Sequence, residues 1–225
     1  MKLPAAAWLV FEKDLRIELR SGEILITTGF FALLITILTS LSFYLDDVIA
    51  RRIAPGVLWI SIAFSGVLAM GRSFQRERDN DAMRGLLLSP LPRPAIYLGK
   101  ALGIFAFLAL VELLLLPLLA VLYRLPFDGA LGSVALITLL GTLGYASAGA
   151  LFAAMGVRVR TKELVLSVVL FPLVSPALLA GVVATREVLG GATLNEVFDW
   201  LRVLLAFDLL FLVGGALLFG PLTSE

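Results

Sequence analysis

Six times along 225 residues the chain stays apolar for about the length that crosses a bilayer. A hydrocarbon core of ~30 Å needs about 20 helical residues, and the runs fall at roughly 24–44, 55–71, 96–122, 130–155, 164–184 and 201–221. The second is short, which predicts tilt or extension into the polar segment after it. None alternates apolar with polar residues, as barrel strands do. With 60% hydrophobic and 16% charged residues, the chain lacks the charge of a soluble domain. No remaining stretch is long enough for one. The expected fold is a single all-α integral membrane domain over residues 1–225, with six transmembrane helices.

Cysteine and histidine are both absent. That excludes disulfides, Cys/His metal centres and His-dependent catalysis. It equally excludes an H-E-x-x-H zinc protease and a haem held by His or Cys of this chain. Met70, Met83 and Met155 read as packed or lipid-facing side chains rather than ligands. The expectation is a chain with no catalytic residues, no metal and no bound cofactor, and with no nucleic-acid partner.

The opening "MKLPAAAWLVF" is followed at once by charged "EKDLRIELR", without the polar cleavage region of a signal peptide. Trp8, Phe11, Leu15 and Leu19 share one helical stripe, and Glu12 and Arg16 are spaced for an i,i+4 pair. "DLRIELR" also alternates, but a lone strand at a membrane surface leaves its backbone edges unpaired. Residues 1–22 therefore read as an interfacial helix, with Trp8 in the headgroup zone.

Orientation follows from the basic residues. With the N-terminus inside, one side receives 13 of the 18 Lys and Arg: Lys2, Lys13, Arg16, Arg20, six between Arg72 and Lys100, then Arg158, Arg160 and Lys162. The other side receives Arg51, Arg52, Arg124, Arg186 and Arg202. Cytoplasmic loops are the basic ones, so both termini are expected in the cytoplasm.

This places "FQRERDNDAMRGLLLSPLPRP", Phe74 to Pro94, on the cytoplasmic side between spans 2 and 3. Its first half is charged all round; its second is apolar, turns at Gly85 and is stopped by Pro90, Pro92 and Pro94. The expected shape for 72–94 is a short helix leaving the membrane, a turn, and a second short helix along its surface. One reading is a solvated loop whose basic bias sets topology. The other is a docking element for a soluble motor, carried by Arg76, Glu77, Arg78, Asp79, Asp81, Met83, Arg84, Leu86 and Leu87. The motor is not in this chain. Gly99-Lys100 lacks the earlier Gly and following Ser or Thr of a phosphate-binding loop, and Pro94 and Ala101 stand there.

Two carboxylates lie within spans. Glu112 is near the middle of span 3, and Asp208 is in the outer third of span 6, near enough to the surface to reach water. Intramembrane acids usually face a cavity or a partner and mark function. The alternative for each is a protonated carboxyl hydrogen-bonded to a neighbouring helix. Gly144/Ala148 and Gly149/Ala153 are small residues at four-residue spacing that let helices approach closely, within one chain or between subunits. Pro172 and Pro176 stand one turn apart in span 5, where a kink or break is expected and a hinge is conceivable.

"RIAPGVLWISIAFSGVLAMGRSFQRERDNDAMRGLLLSPLPRP" (Arg52 to Pro94) resembles the most recognisable part of the haem exporter protein B (CcmB) family. "LLGTLGYASAGALFAAMGVRVRTKELVLSVVLFPLVSPALL" (Leu139 to Leu179) resembles its fourth and fifth spans, and "FEKDLRIELRSGE" its opening. Two positions depart from the family pattern: Gly71 stands where an acid precedes Arg72, and Asn80-Asp81 with Arg84 where an Asp-Gly pair and a following acid are expected. The resemblance implies an ABC-2 exporter-like architecture with a cytoplasmic coupling helix. It also implies that "TREVLGGATLNEVFDW" forms short helices dipping back into the membrane. It implies the membrane (permease) subunit of an ATP-binding cassette complex in cytochrome c biogenesis, in a bacterial inner membrane. ATP would be hydrolysed on a separate CcmA-like subunit, with CcmC-like and CcmD-like membrane proteins and a CcmE-like haem chaperone as partners, and two copies of this chain. Haem would be handled by those partners. Two other classes stand beside this one: an exporter subunit for a lipid-linked or drug-like substrate, and a secondary transporter. The last would show inverted repeats, and none is seen between residues 1–110 and 111–225.

Overall fold

A computed structural model describes residues 2–42, 47–79, 85–86, 88–125, 129–156 and 162–223. Seven long helices carry the described residues, and no strand occurs among them. They are α1 (Leu3–Ser21), α2 (Glu23–Ser42), α3 (Asp47–Asp79), α4 (Arg93–Leu122), α5 (Gly129–Gly156), α6 (Lys162–Leu189) and α7 (Phe198–Thr223). All but α1 are long and apolar enough to cross a membrane, so the chain is a multi-pass membrane protein.

Local chemistry sets the helix ends. A proline lies in the first turn of α1, where its missing N–H costs nothing. Gly22 ends the helix in the left-handed conformation (φ +63°), its N–H returning 2.7 Å to the Glu18 carbonyl. That single residue is the whole connection to α2. At the other end of the bundle, α6 stops at Gly190 and Gly191, the latter at φ +103°.

α1 has three faces. Ala6, Ala7, Val10, Asp14 and Glu18 are buried against the bundle. Trp8 and Leu19 of the expected apolar stripe are exposed, on the side a lipid interface would cover. Glu12 pairs with Arg16 on the polar side, as their spacing predicts. Small residues seat the helix on α4: a Cβ at Gly99 would fall 2.7 Å from the Ala7 carbonyl oxygen.

α5 and α3 are the most buried spans, while α2 and α7 are mostly open to the surroundings. Close approach depends on glycine at particular points. Trp59 of α3 lies against Gly141 of α5 and Gly181 of α6, and donates its indole N–H to Thr185 at 3.0 Å. Tyr145 of α5 fills the space beside Gly66 and donates to the Ala63 carbonyl at 2.6 Å. Tyr97 of α4 does the same against Gly215 of α7, with its hydroxyl 2.6 Å from the Phe211 carbonyl.

Three sequence expectations change. The second span, expected at 55–71, belongs to a helix that runs unbroken from Asp47 to Asp79. At 1.5 Å per residue its 33 residues measure about 50 Å. The charged "RSFQRERD" is thus the end of α3, not a separate short helix. On the opposite end, "TREVL" completes α6 and "FDW" begins α7, leaving an eight-residue turn rather than two short helices. Finally, of the kink or break expected in span 5, the break does not occur, since α6 is one helix through Pro172 and Pro176. Pro176 cannot donate to the Pro172 carbonyl, and the Ser175 hydroxyl donates to it instead at 2.8 Å.

Candidate functional site: a charged helix end and two buried acids

The charged end of α3 leaves the apolar bundle beside the α1–α2 turn, and five side chains meet there. Glu18 is fully buried. Its Oε1 accepts the Leu25 N–H at 2.8 Å, capping one of the free donors at the start of α2. Its Oε2 accepts both terminal nitrogens of Arg76 at 3.2 Å. Arg76 also donates to the Ser21 hydroxyl at 3.1 Å and to Glu23 at 3.3 Å, and Arg72 donates to Glu23 at 2.9 Å. One turn earlier on α1, Asp14 lies 2.7 Å from the Lys100 amine of α4 and 3.0 Å from Lys13. Lys100 is 1% exposed.

Arg76 is therefore held inside the chain rather than projecting as a rim charge. Of the other expected docking residues, Asp81, Met83, Arg84 and Leu87 lie outside the described residues. So do the side chains of Glu77, Arg78 and Asp79. Leu86 is partly buried against the core, whereas Leu88 is 79% exposed. Among the described residues of this segment, Leu88 is the large apolar side chain presented outward.

The two buried acids flank α5. Glu112 of α4 accepts the Thr142 hydroxyl on Oε1, and its Oε2 is buried without a partner. Asp208 of α7 rests on the bare backbone at Gly144, where a Cβ would lie 2.4 Å from Oδ1. Both its oxygens are buried without a hydrogen-bond partner. Thr142 and Gly144 are two residues apart and so about 200° apart round the helix. The acids therefore press on α5 from opposite sides at nearly one level. Asp208 is 3% exposed, which corrects the expectation that it lies near enough to the surface to reach water.

The small-residue positions serve contacts within the chain. Gly144 meets Phe207 and Asp208 of α7, Gly149 meets Met70 of α3, and Ala148 is fully buried. The side chain of Ala153 lies outside the described residues. Pro172 and Pro176 are exposed on α6. Sequence reasoning missed Asp14, Glu18, Glu23 and Lys100. The available signal was the i,i+4 pair of acids, Asp14 and Glu18, set off the apolar stripe of α1.

Comparison with known proteins agrees with this architecture over nearly the whole chain. The heme exporter protein B of Haemophilus influenzae is 31% identical over 187 residues, covering 83% of this chain and 82% of its own. That of Paracoccus denitrificans is 31% identical over 180 residues, 80% of this chain and 82% of its own. The Escherichia coli K12 protein is 36% identical over 97 residues, 43% of this chain and 44% of its own. A family model described as CcmB protein matches residues 5–219, and the chain belongs to that family.

Proposed function

We propose that this chain is the membrane subunit of a cytochrome c maturation complex of the ATP-binding cassette type. It converts ATP hydrolysis on a separate subunit into release of a haem-loaded chaperone. The names of its relatives support the haem assignment, and family membership supports a membrane component of the haem export system. Both termini face the cytoplasm, in keeping with the basic bias of the α1 end. With neither His nor Cys in the chain, haem ligation belongs to the partner proteins.

The observation that carries the reading is the length and ending of α3. A helix of about 50 Å is some 20 Å longer than a ~30 Å hydrocarbon core. Part of that excess, from Arg72 on, carries charge to the cytoplasmic surface, while Arg51 and Arg52 lie at the other end. Beyond α3, Leu88 is exposed just before Pro90 and Pro92. A long helix with a charged end, followed in the chain by an exposed apolar side chain, suits a membrane subunit that receives a push from a soluble motor and transmits it into the bundle. Glu112 and Asp208 lie at the α4–α5 and α5–α7 contacts through which that push travels.

The test is pull-down of the tagged ATPase with Leu88→Asp. A buried apolar anchor contributes ~2 kcal/mol or more to an interface, so retention falls sharply while membrane insertion is unchanged. Leu86→Asp is the poorer test, because Leu86 also packs on this chain's own core. Full ATPase retention by Leu88→Asp would reduce the segment to a topology-setting loop.

A further inference from the structure

The ion cluster at the α1–α2 turn is elaborate for a structural clip. Glu18 is 0% exposed, yet it is a charged group holding three donors from two other helices. Burying a charge is costly, and exchanging a buried ion pair for apolar residues is often neutral or stabilising. What such a pair does well is fix one register among several similar packings. Here the choice of register is real. Arg72 and Arg76 stand one turn apart on α3, and Glu18 and Glu23 stand on either side of the Gly22 turn. Sliding α3 by one turn, ~5.4 Å, would bring the wrong arginine to Glu18. The present register gives Glu18 both terminal nitrogens of Arg76, one of which also reaches Ser21 and Glu23.

The same contacts join parts that otherwise touch little. α1 packs along α4 and only lightly on α2, and among the described side chains Arg76 ties it to the end of α3. Asp14–Lys100 fixes α1 to the start of α4. The end of α3 and the start of α4 flank the segment to which docking is assigned above.

We infer that Glu18 is a positioning residue of the ATP-driven cycle, holding α1, the start of α2 and the end of α3 in one register so that they move as a unit when the ATPase moves. The inference rests on the docking reading given under Proposed function. Its consequence is specific: without the Glu18 carboxylate the ATPase still binds and hydrolyses ATP, but each turnover does less work on the bundle.

The experiment uses the whole complex in proteoliposomes and counts haem-loaded chaperone released per ATP hydrolysed. Glu18→Gln keeps the shape and the acceptor for the Leu25 N–H while removing the charge. Release per ATP is expected to fall about tenfold, within the 5–150-fold range of coupling between sites, with protein level and ATPase retention unchanged. Glu18→Gln combined with Arg76→Gln is expected to lose less than the sum of the two single variants, because they share the Glu18–Arg76 interaction. Arg76→Lys, which keeps charge but loses the planar fork, is expected to resemble Glu18→Gln. Unchanged release per ATP in Glu18→Gln would overturn the inference. So would a loss of output that only follows falling protein level or ATPase retention, since that is a structural role. Failure of the docking reading looks different: Leu88→Asp would then retain the ATPase in full, whatever Glu18→Gln does.

Discussion

Among the described residues four acids are buried, and two regions treat them oppositely. At the α1 end, Asp14 and Glu18 each meet cationic side chains from other helices. In the middle of the bundle, Glu112 receives one hydroxyl and Asp208 receives no donor. Burial alone therefore does not predict how an acid is satisfied. Position along the membrane normal does: Lys and Arg reach the helix ends at little cost, whereas a cation at mid-span costs about 2.5–3.5 kcal/mol on the insertion scale. The ends can tie helices together with charge, while the middle relies on fit, with Gly144 making room for Asp208.

The contrast breaks most visibly by removing a paired acid. Asp14→Leu takes away the carboxylate 2.7 Å from a Lys100 that is 1% exposed. The expected cost is about 3–5 kcal/mol. Asp14→Leu with Lys100→Leu recovers most of it, as read by the melting temperature of the purified protein in detergent. Next in size is Gly144→Ala, whose new Cβ falls 2.4 Å from Asp208 Oδ1 and 2.7 Å from Phe207. Overpacking of this kind costs about 1–3 kcal/mol, and Asp208→Ala in the same chain relieves the part due to the carboxyl.

Removing an unpaired acid sharpens the comparison from the other side. Glu112→Leu is expected to leave insertion and melting temperature unchanged or improved, because no partner is stranded beyond the Thr142 hydroxyl. Glu112→Leu nonetheless lowers cytochrome c assembly at normal protein level. Full assembly would make that carboxylate incidental. The smallest effect is at an exposed acid. The N–H and hydroxyl of Thr193 hold the Glu196 carboxyl below its usual range. A lowered folded value means that the contact contributes above the usual glutamate range and is lost as pH falls through the folded value. Amide protection of residues 193–197 exceeds that of Glu196→Ala at neutral pH, and the difference vanishes in acid.

The sequence makes the membrane spans plain because their signal is local: length and apolar character suffice to find all six. That α1 is a helix, and its Glu12–Arg16 pair, were equally legible. What stayed hidden depends on partners far along the chain. Arg76 reads as a solvated charge until Glu18, 58 residues earlier, is placed beside it. Lys100 reads as half of a failed phosphate loop until Asp14 meets it. The short second span already pointed to extension into the polar segment, but not to an unbroken helix as far as Asp79, since that charged end looks like a loop without those acceptors. Asp208 was legible as an intramembrane acid but not as a group seated on Gly144, which requires knowing that α7 lies against α5.

The central claim, that the α1 end is a cytoplasmic surface on which an ATPase docks, is tested most directly by thiol labelling at Leu88. The chain has no cysteine of its own, so Leu88→Cys and Gly191→Cys each provide a single site on opposite ends of the bundle. In inside-out vesicles an impermeant thiol reagent is expected to label Leu88→Cys and leave Gly191→Cys untouched. Adding the ATPase subunit is expected to protect Leu88→Cys. Labelling of Gly191→Cys in place of Leu88→Cys, or labelling of Leu88→Cys that is the same with and without the ATPase, would contradict the account.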